Sequence, residues 1–478
     1  MNQRLTLLTD LYEITMMNGY FLEGKKDQRV VFDVFFRQNA LITYSVMAGL
    51  KQVVDYLTEL KFEKEDLEYL RSLKLFSEDF LGYLKDFRFT GDVFAVPEGT
   101  VVFPGEPILT VRSNIIEAQL VETAILNIIN HQTLIATKSA KVCYAAKGDS
   151  VMEFGLRRAQ GPDAGVYGAR AAIIGGCSST SNVLAGQLFG VKVSGTHAHS
   201  WVMNFPSELE AFRAYADIYP GGVMLLVDTY DTLKSGVPNA ITVFKECEKR
   251  GIKPIGIRLD SGDLAYLTKK ARKMLDDAGF GYTKICASGD LDEYLITSLK
   301  NQGAKIDMWG VGTKLITSAD LPALGGVYKL AGVYENGKLI PKIKLSDNRA
   351  KITNPSFKTI YRIYGEDDMA EADLIALRDE VIDSDNPLTI FHPVDTWKKM
   401  TFEPGKFKIR ELVTQIMKDG KIVSPLPELD EIVEYAKKEK DSFWDEYKRI
   451  DQPHIYKVDL SEKLYKLKTD MINEIRKG

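Results

Sequence analysis

Histidine, cysteine and tryptophan are scarce in this 478-residue chain: five histidines, four cysteines and four tryptophans. The cysteines, Cys143, Cys177, Cys247 and Cys286, lie far apart and form no C-x-x-C pair. That excludes a zinc ribbon or a disulfide framework and makes a reducing, cytoplasmic compartment the expected location. Nowhere does the chain reach about 18 uncharged apolar residues, the length a membrane-spanning helix needs. The opening MNQRLTLLTDLYEITMMNGYF is an amphipathic pattern broken by charges, without the apolar centre of a secretion signal. Neither a membrane nor secretion is expected. A concentrated basic excess is also missing: 62 Lys and Arg stand against 66 Asp and Glu, for a net charge of −4. Nucleic acid is therefore not an expected partner.

The chain does have enough apolar residues, 45%, to build a substantial core, and a length that favours two or three domains. The first 30 residues read as a helix, followed by a strand VVFDVFFR (30–37) and helices over roughly 48–88. GDVFAVPEGTVVFPGEPILTVR (91–112) mixes β-branched and aromatic residues with Pro and Gly, the pattern of short antiparallel strands and tight turns. A long helix is expected over 115–142.

From about residue 150 the texture changes. Short apolar runs recur, each ending in a polar or glycine-containing cluster and followed by a helical stretch. They are VMEF then GLRRAQG, GVKVS then GTHAHS, GVMLLV then DTYD, PIGIRL then DSGD, TKICA then SGD, and KIDMW then GVGT. Strands alternating with helices mean β/α units and a parallel sheet. Six in succession, with no dinucleotide-binding glycine fingerprint, favour a barrel. Beyond Tyr334 the pattern becomes mixed, with strands and hairpins over 338–364 and 407–423 and charged amphipathic helices over 427–449 and 459–477.

In a β/α barrel the chemistry sits at the C-terminal ends of the strands, and every unusual polar cluster here falls at such an end. In MWGVGTKL, small residues at 310, 312 and 313 follow an apolar strand, where backbone N–H groups can approach a phosphate. In CASGDLDEYL, Ser288 and Gly289 are read as the start of a helix, whose dipole favours an anion. IGIRLDSGDL brings Arg258 and Asp260 to one side of an extended segment, with Asp263 as the next helix's N-cap. Asp228 and Asp260 from neighbouring strands suit Mg²⁺ held through one or two carboxylates plus substrate phosphates. Arg157 and Arg158 are adjacent and diverge, so one of them is expected in the mouth; a guanidinium fork suits carboxylate or phosphate.

Two of the five histidines, His197 and His199, stand in KVSGTHAHSWV. They have the form of the H-x-H of a metal-dependent barrel hydrolase, but such a site needs further ligands from later strands. Only His131, His392 and His454 remain; one lies upstream in a helix and two lie beyond the barrel region. Asp228 or Asp260 could complete a site, yet the supply is thin. A lone histidine doing phosphate or proton chemistry fits better beside so many phosphate-type clusters.

The motifs TDLYEITM, FGLRRAQG, GTHAHSW, IRLDSGDL, SGDLDE and WGVGT occur in an order and spacing that resembles the nicotinate phosphoribosyltransferases, from about residue 8 to 365. The resemblance implies an irregular β/α barrel packed on an α+β domain. The barrel would occupy 143–335, and residues 1–142 with 336–478 would supply the α+β domain. It implies the union of nicotinate with phosphoribosyl pyrophosphate to give nicotinate mononucleotide and pyrophosphate, coupled to ATP hydrolysis, in NAD salvage. Tyr12, Phe154, Arg157, Thr196 and Arg258 fall where the family holds nicotinate. Ser288, Gly289, Asp290, Gly310, Gly312 and Thr313 fall at the phosphoribosyl phosphate. His199 matches the residue that ATP phosphorylates, His197 a bystander, and Asp228 and Asp260 the Mg²⁺–pyrophosphate ligands. Arg258 and Asp260 join His199 as expected catalytic residues. Because the family places Tyr12 in the neighbouring subunit's site, a homodimer with shared active sites is expected. The nearest rival on the same fold acts on nicotinamide, and its site would want an acid near the amide; CSSTSN (177–182), expected on that side, has none. A catalytically silent sensor of the same pathway is disfavoured by the full set of charged mouth residues.

Overall fold

Five of the six runs that open after residue 150 fold as parallel strands, because they are largely apolar, as strands covered on both sides must be. The structure, a computed structural model, describes residues 4–39, 41–347, 351–395 and 397–477. It divides into two compact units, Ile135–Pro322 and a second made of Met1–Leu134 with Ala323–Gly478.

The first unit contains β1 (Ser150–Glu153), β2 (Ser179–Thr180), β3 (Met224–Leu226), β4 (Gly256–Leu259), β5 (Lys284–Ser288) and β6 (Met308–Val311). Their order is β2-β1-β6-β5-β4-β3, every pairing parallel. The first strand thus pairs with the last, as in a barrel. Between β2 and β3 no full strand intervenes. The expected strand at 190–194 reduces to a single bridge, Thr180 to Val193. The backbone N–H of Leu226 then donates to Nε2 of His197 at 3.2 Å, so an imidazole takes the place of a missing ladder bond. The barrel is irregular at this seam. Met152, Met224 and Cys286 fill its interior, with Phe154 and Met308 packed against them.

Side-chain caps start the crossover helices. Asp263 accepts from Tyr266 N at 3.0 Å to begin Leu264–Asp277, as the sequence suggested. Asp292 does the same from Leu295 N at 2.8 Å for Glu293–Asn301. Such caps satisfy N–H groups that a helix start leaves unpaired.

The second unit is α+β. Arg29–Phe36 is central in a seven-stranded sheet, pairing antiparallel with Gly326–Glu335 on one side and Leu109–Asn114 on the other. Thr414–Lys418 joins the same sheet beside Asp92–Ala95. A six-stranded mixed sheet is built from segments beyond residue 357, with Ala370–Leu377 and Lys457–Leu460 its parallel pair. The C-terminal segments therefore complete the domain that the N-terminal ones begin. The unit boundaries fall earlier than 142 and 335. The 25-residue helix Glu122–Ala146 runs across the first boundary, and Gly326–Glu335, expected in the barrel, belongs by its pairing to the seven-stranded sheet. No helix among the described residues is long and apolar enough to cross a membrane.

Candidate active site

The barrel mouth is organised by Arg258 at the end of β4. Its guanidinium donates from Nε to Ser288 Oγ at 2.8 Å, from Nη1 to Thr196 Oγ1 at 2.9 Å, and from Nη2 to Asp260 Oδ1 at 2.8 Å. Ser288 Oγ also donates to Asp260 Oδ1. Thr196, Arg258, Asp260 and Ser288, four residues singled out in the sequence, thus form one network. Burial opposes ionisation of Asp260, yet the Ser288 hydroxyl and the Arg258 charge outweigh it and hold its carboxyl below the usual range. The Phe154 ring lies near the same guanidinium, 5.7 Å from its Cζ, within cation–π range.

Asp228 follows β3 and is tied to the next strand's loop. Its Oδ2 accepts from Asp260 N at 2.8 Å and from Ser261 Oγ at 2.7 Å, while its buried Oδ1 has no partner among the described residues. Asp231 serves as an N-cap, accepting from Leu233 N and Lys234 N.

The two histidines have different surroundings. His197 is buried, with Tyr215 edge-on at 4.7 Å. Burial and the nearby Arg258 and His199 charges push its imidazole down to about 4, against the opposing Ala198 backbone bond. It is neutral at pH 7 and spends Nε2 on Leu226. His199, the first residue of the helix His199–Met203, is only partly buried. Its Nδ1 meets Thr229 Oγ1 at 3.1 Å, which leaves Nε2 as the nitrogen without a protein partner among the described residues.

The phosphate-type clusters are rearranged relative to the sequence reading. Ser288 and Gly289 do not start a helix, because Asp292 caps the one that follows with its own carboxylate. They close β5 instead. A Cβ on Gly289 (φ +95°) would stand 2.2 Å from the Asp260 carbonyl oxygen, so only glycine fits, and Asp290 follows in the left-handed region at φ +43°. Gly310 lies inside β6, not in the turn after it, and a side chain there would strike the Phe154 ring at 2.7 Å. Its smallness makes room for an aromatic ring, not for a phosphate. Gly312 precedes the single turn Thr313–Ile316, where the amides of Thr313 and Lys314 come before the first intrahelical bonds.

Two of the residues expected around nicotinate stay outside the network. Arg157 is exposed on the turn Leu156–Arg158 and has no recorded link to it. Tyr12 lies on Leu11–Leu22 in the other unit, about half-exposed and near Glu13 and Glu122, while burial and both carboxylates raise its phenol.

Glu153 escaped the sequence reading. Completely buried at the end of β1, it accepts from Thr180 Oγ1 at 2.6 Å and from Gly155 N. Burial raises its carboxyl despite these bonds. A charged residue closing an apolar run, as in VMEF, was the available signal. CSSTSN itself has no acid, but Glu153 on the adjacent strand stands against its Thr180.

Family comparisons fit this geometry. The description "Nicotinate phosphoribosyltransferase (NAPRTase) family" matches residues 150–374, with the family's N-terminal domain at 7–130 and its C-terminal domain at 357–468. A nicotinate phosphoribosyltransferase of Bacillus subtilis (strain 168) is 48% identical over 99% of this chain and 96% of its own length. The chain belongs to the nicotinate phosphoribosyltransferase family. One from Dictyostelium discoideum is 36% identical over 96% of this chain and 87% of its own. The human nicotinic acid phosphoribosyltransferase structure superposes with a TM-score of 0.86 at 29% identity, covering 97% of this chain and 99% of that one. Likeness therefore continues past residue 365, where the sequence motifs gave out, and membership makes the protein an enzyme of this type.

Proposed function

We propose that the enzyme joins nicotinate to phosphoribosyl pyrophosphate, forming nicotinate mononucleotide and pyrophosphate for NAD salvage. The observation that carries this reading is the Arg258 network. A guanidinium has five N–H donors, and the three protein acceptors leave two for a ligand carboxylate entering beside Phe154. The pyridine nitrogen has a free lone pair, so its attack on the sugar C1 needs no general base. The C1–pyrophosphate bond breaks through an oxocarbenium-like state, and catalysis is chiefly positioning and charge stabilisation. The turn at Gly312 and Thr313 and the loop Ser288–Asp290 are the backbone segments offered to the sugar phosphate. Asp228, with its unpartnered buried Oδ1, and Asp260 are a donor set that fits Mg²⁺ binding with substrate phosphates. When bound, the ion supplies charge neutralisation for pyrophosphate.

ATP enters as co-substrate through His199. The lone pair of Nε2 attacks the γ-phosphorus, the bond to the β-phosphate oxygen breaks, and ADP leaves; water later hydrolyses the phosphohistidine to phosphate. The Thr229 hydroxyl beside Nδ1 supports this: in the tautomer that donates Nδ1–H to it, Nε2 is the unprotonated nitrogen. The metal-hydrolase alternative loses its ligands: His197 Nε2 is engaged by Leu226 N, and no group of three metal-type side chains occurs among the described residues. The four cysteines are all free, which supports a reducing, cytoplasmic setting. An assay with nicotinate and phosphoribosyl pyrophosphate, with and without ATP, tests the reaction: mononucleotide should form faster with ATP, and activity with nicotinamide alone would refute it.

The half-exposed Tyr12 supports a homodimer in which it completes the partner's site. Mixing inactive Tyr12→Ala and Arg258→Ala subunits should then restore part of the activity. A fully active monomer in solution would rule this out.

A further inference from the structure

The α+β unit contains a cavity of about 120 Å³ that none of the candidate catalytic residues lines. Two lysines face it, both more than nine-tenths buried, Lys358 at 3% and Lys468 at 6% exposure. Lys358 is fully served. Its ammonium pairs with Asp33 Oδ2 at 2.7 Å and donates to the carbonyls of Ser356 and Pro355. Asp33 is in turn satisfied by Lys358 and by Thr110 Oγ1 at 2.7 Å.

Lys468 has no such counter-charge. It lies one turn after Leu464 on Glu462–Lys477, and these two are the buried residues of that helix. A lysine therefore occupies a position where the apolar stripe calls for Leu or Met. Its ammonium reaches only Asn354 Oδ1, at 2.8 Å, and the Pro393 carbonyl at 3.5 Å. Among the described residues no carboxylate pairs with it. Burial, with the Lys358 charge adding, pushes it down to about 8. The cavity thus holds two cations and one anion, and a buried cation without an anion is costly. Phe35, Pro107, Ile375, Val394 and Val458 supply largely apolar walls.

We infer that this cavity is a binding site for a small monocarboxylate with a compact, branched apolar body. One carboxylate oxygen takes the Lys468 ammonium and the other the Asn354 side-chain N–H, while the body lies against the apolar walls. One ammonium and one amide serve two oxygens. A phosphate would bring further oxygens that these walls leave without donors.

Calorimetric titration of the full-length protein tests this, with 3-methylbutanoate as probe and neutral 3-methylbutanamide and inorganic phosphate as comparators. The acid should bind saturably and the amide about tenfold or more weaker, the value of a charge-assisted bond. Lys468→Met should lose acid binding by a similar factor without a lower melting temperature, and Arg258→Lys should keep it. Should Lys468→Met not fold, Val458→Phe, which fills the cavity and retains the charge, must show the same loss. No saturable binding, phosphate binding in preference to the acid, or binding that survives Lys468→Met and disappears in Arg258→Lys would each overturn the assignment.

Discussion

Arg258 in the barrel and Arg362 in the α+β unit are both largely enclosed arginines, and their hydrogen bonds tell them apart. Arg362 is fully buried and makes four bonds: two to Asp373, one to Glu439 at 2.8 Å and one to the Val101 carbonyl. Its main acceptors are carboxylates, and its Cζ lies 4.8 Å from the centre of the Phe443 ring. Burial works against its charge, but Asp373 prevails and holds it well above the usual arginine range. Arg258 makes three bonds, two of them to hydroxyls, and its side chain keeps 17% of its exposure. One fork is closed by protein charge and the other is left partly open. A fork closed by buried carboxylates holds a fold together, and one left with two donors to spare can receive a ligand.

The largest expected effect lies on the closed side. Arg362→Met leaves Asp373 buried without its cation and Glu439 with Arg410 alone, beside Glu106, whose carboxyl burial and Asp373 already raise. Removing one partner of a buried pair costs about 3–5 kcal/mol. Denaturant unfolding should show that loss, and a variant as stable as the parent would break the comparison. A smaller, purely functional effect is expected at the histidines. Brief incubation with γ-labelled ATP should give an acid-labile, base-stable label that is lost in His199→Ala and kept in His197→Ala. His199→Ala should also retain a slow, ATP-independent transfer. A label that depended on His197 instead would exchange the roles assigned to the pair.

Much of the barrel was legible because its signals are local. Strands covered on both faces read as apolar runs, and Asp263 announced its helix as an N-cap three residues before the N–H it receives. Arg258 on β4 and Asp260 just past its end, two apart in an extended segment, were expected to share a side, and Arg258 does pair with Asp260. What stayed hidden depends on contacts distant in sequence. Nothing near residue 193 shows that its strand shrinks to one bridge, or that His197 will fill the gap by accepting from Leu226, 29 residues on. Gly310 reads as a turn glycine until the Phe154 ring is seen over it. Asp292 takes the helix start that seemed to belong to Ser288. The unit boundaries were displaced for a similar reason, since Gly326–Glu335 is assigned by its partner strand and not by its own composition.

The open fork of Arg258 is the central claim, and Arg258→Lys tests it most directly. Lysine keeps the charge but loses the paired donors, so kcat/KM for nicotinate should fall on the order of 10 to 100-fold, the equivalent of about 1.5–3 kcal/mol. The preference for nicotinate over nicotinamide should shrink with it, while the unfolding midpoint stays near that of the parent. Unchanged discrimination between the acid and the amide in Arg258→Lys would contradict the account.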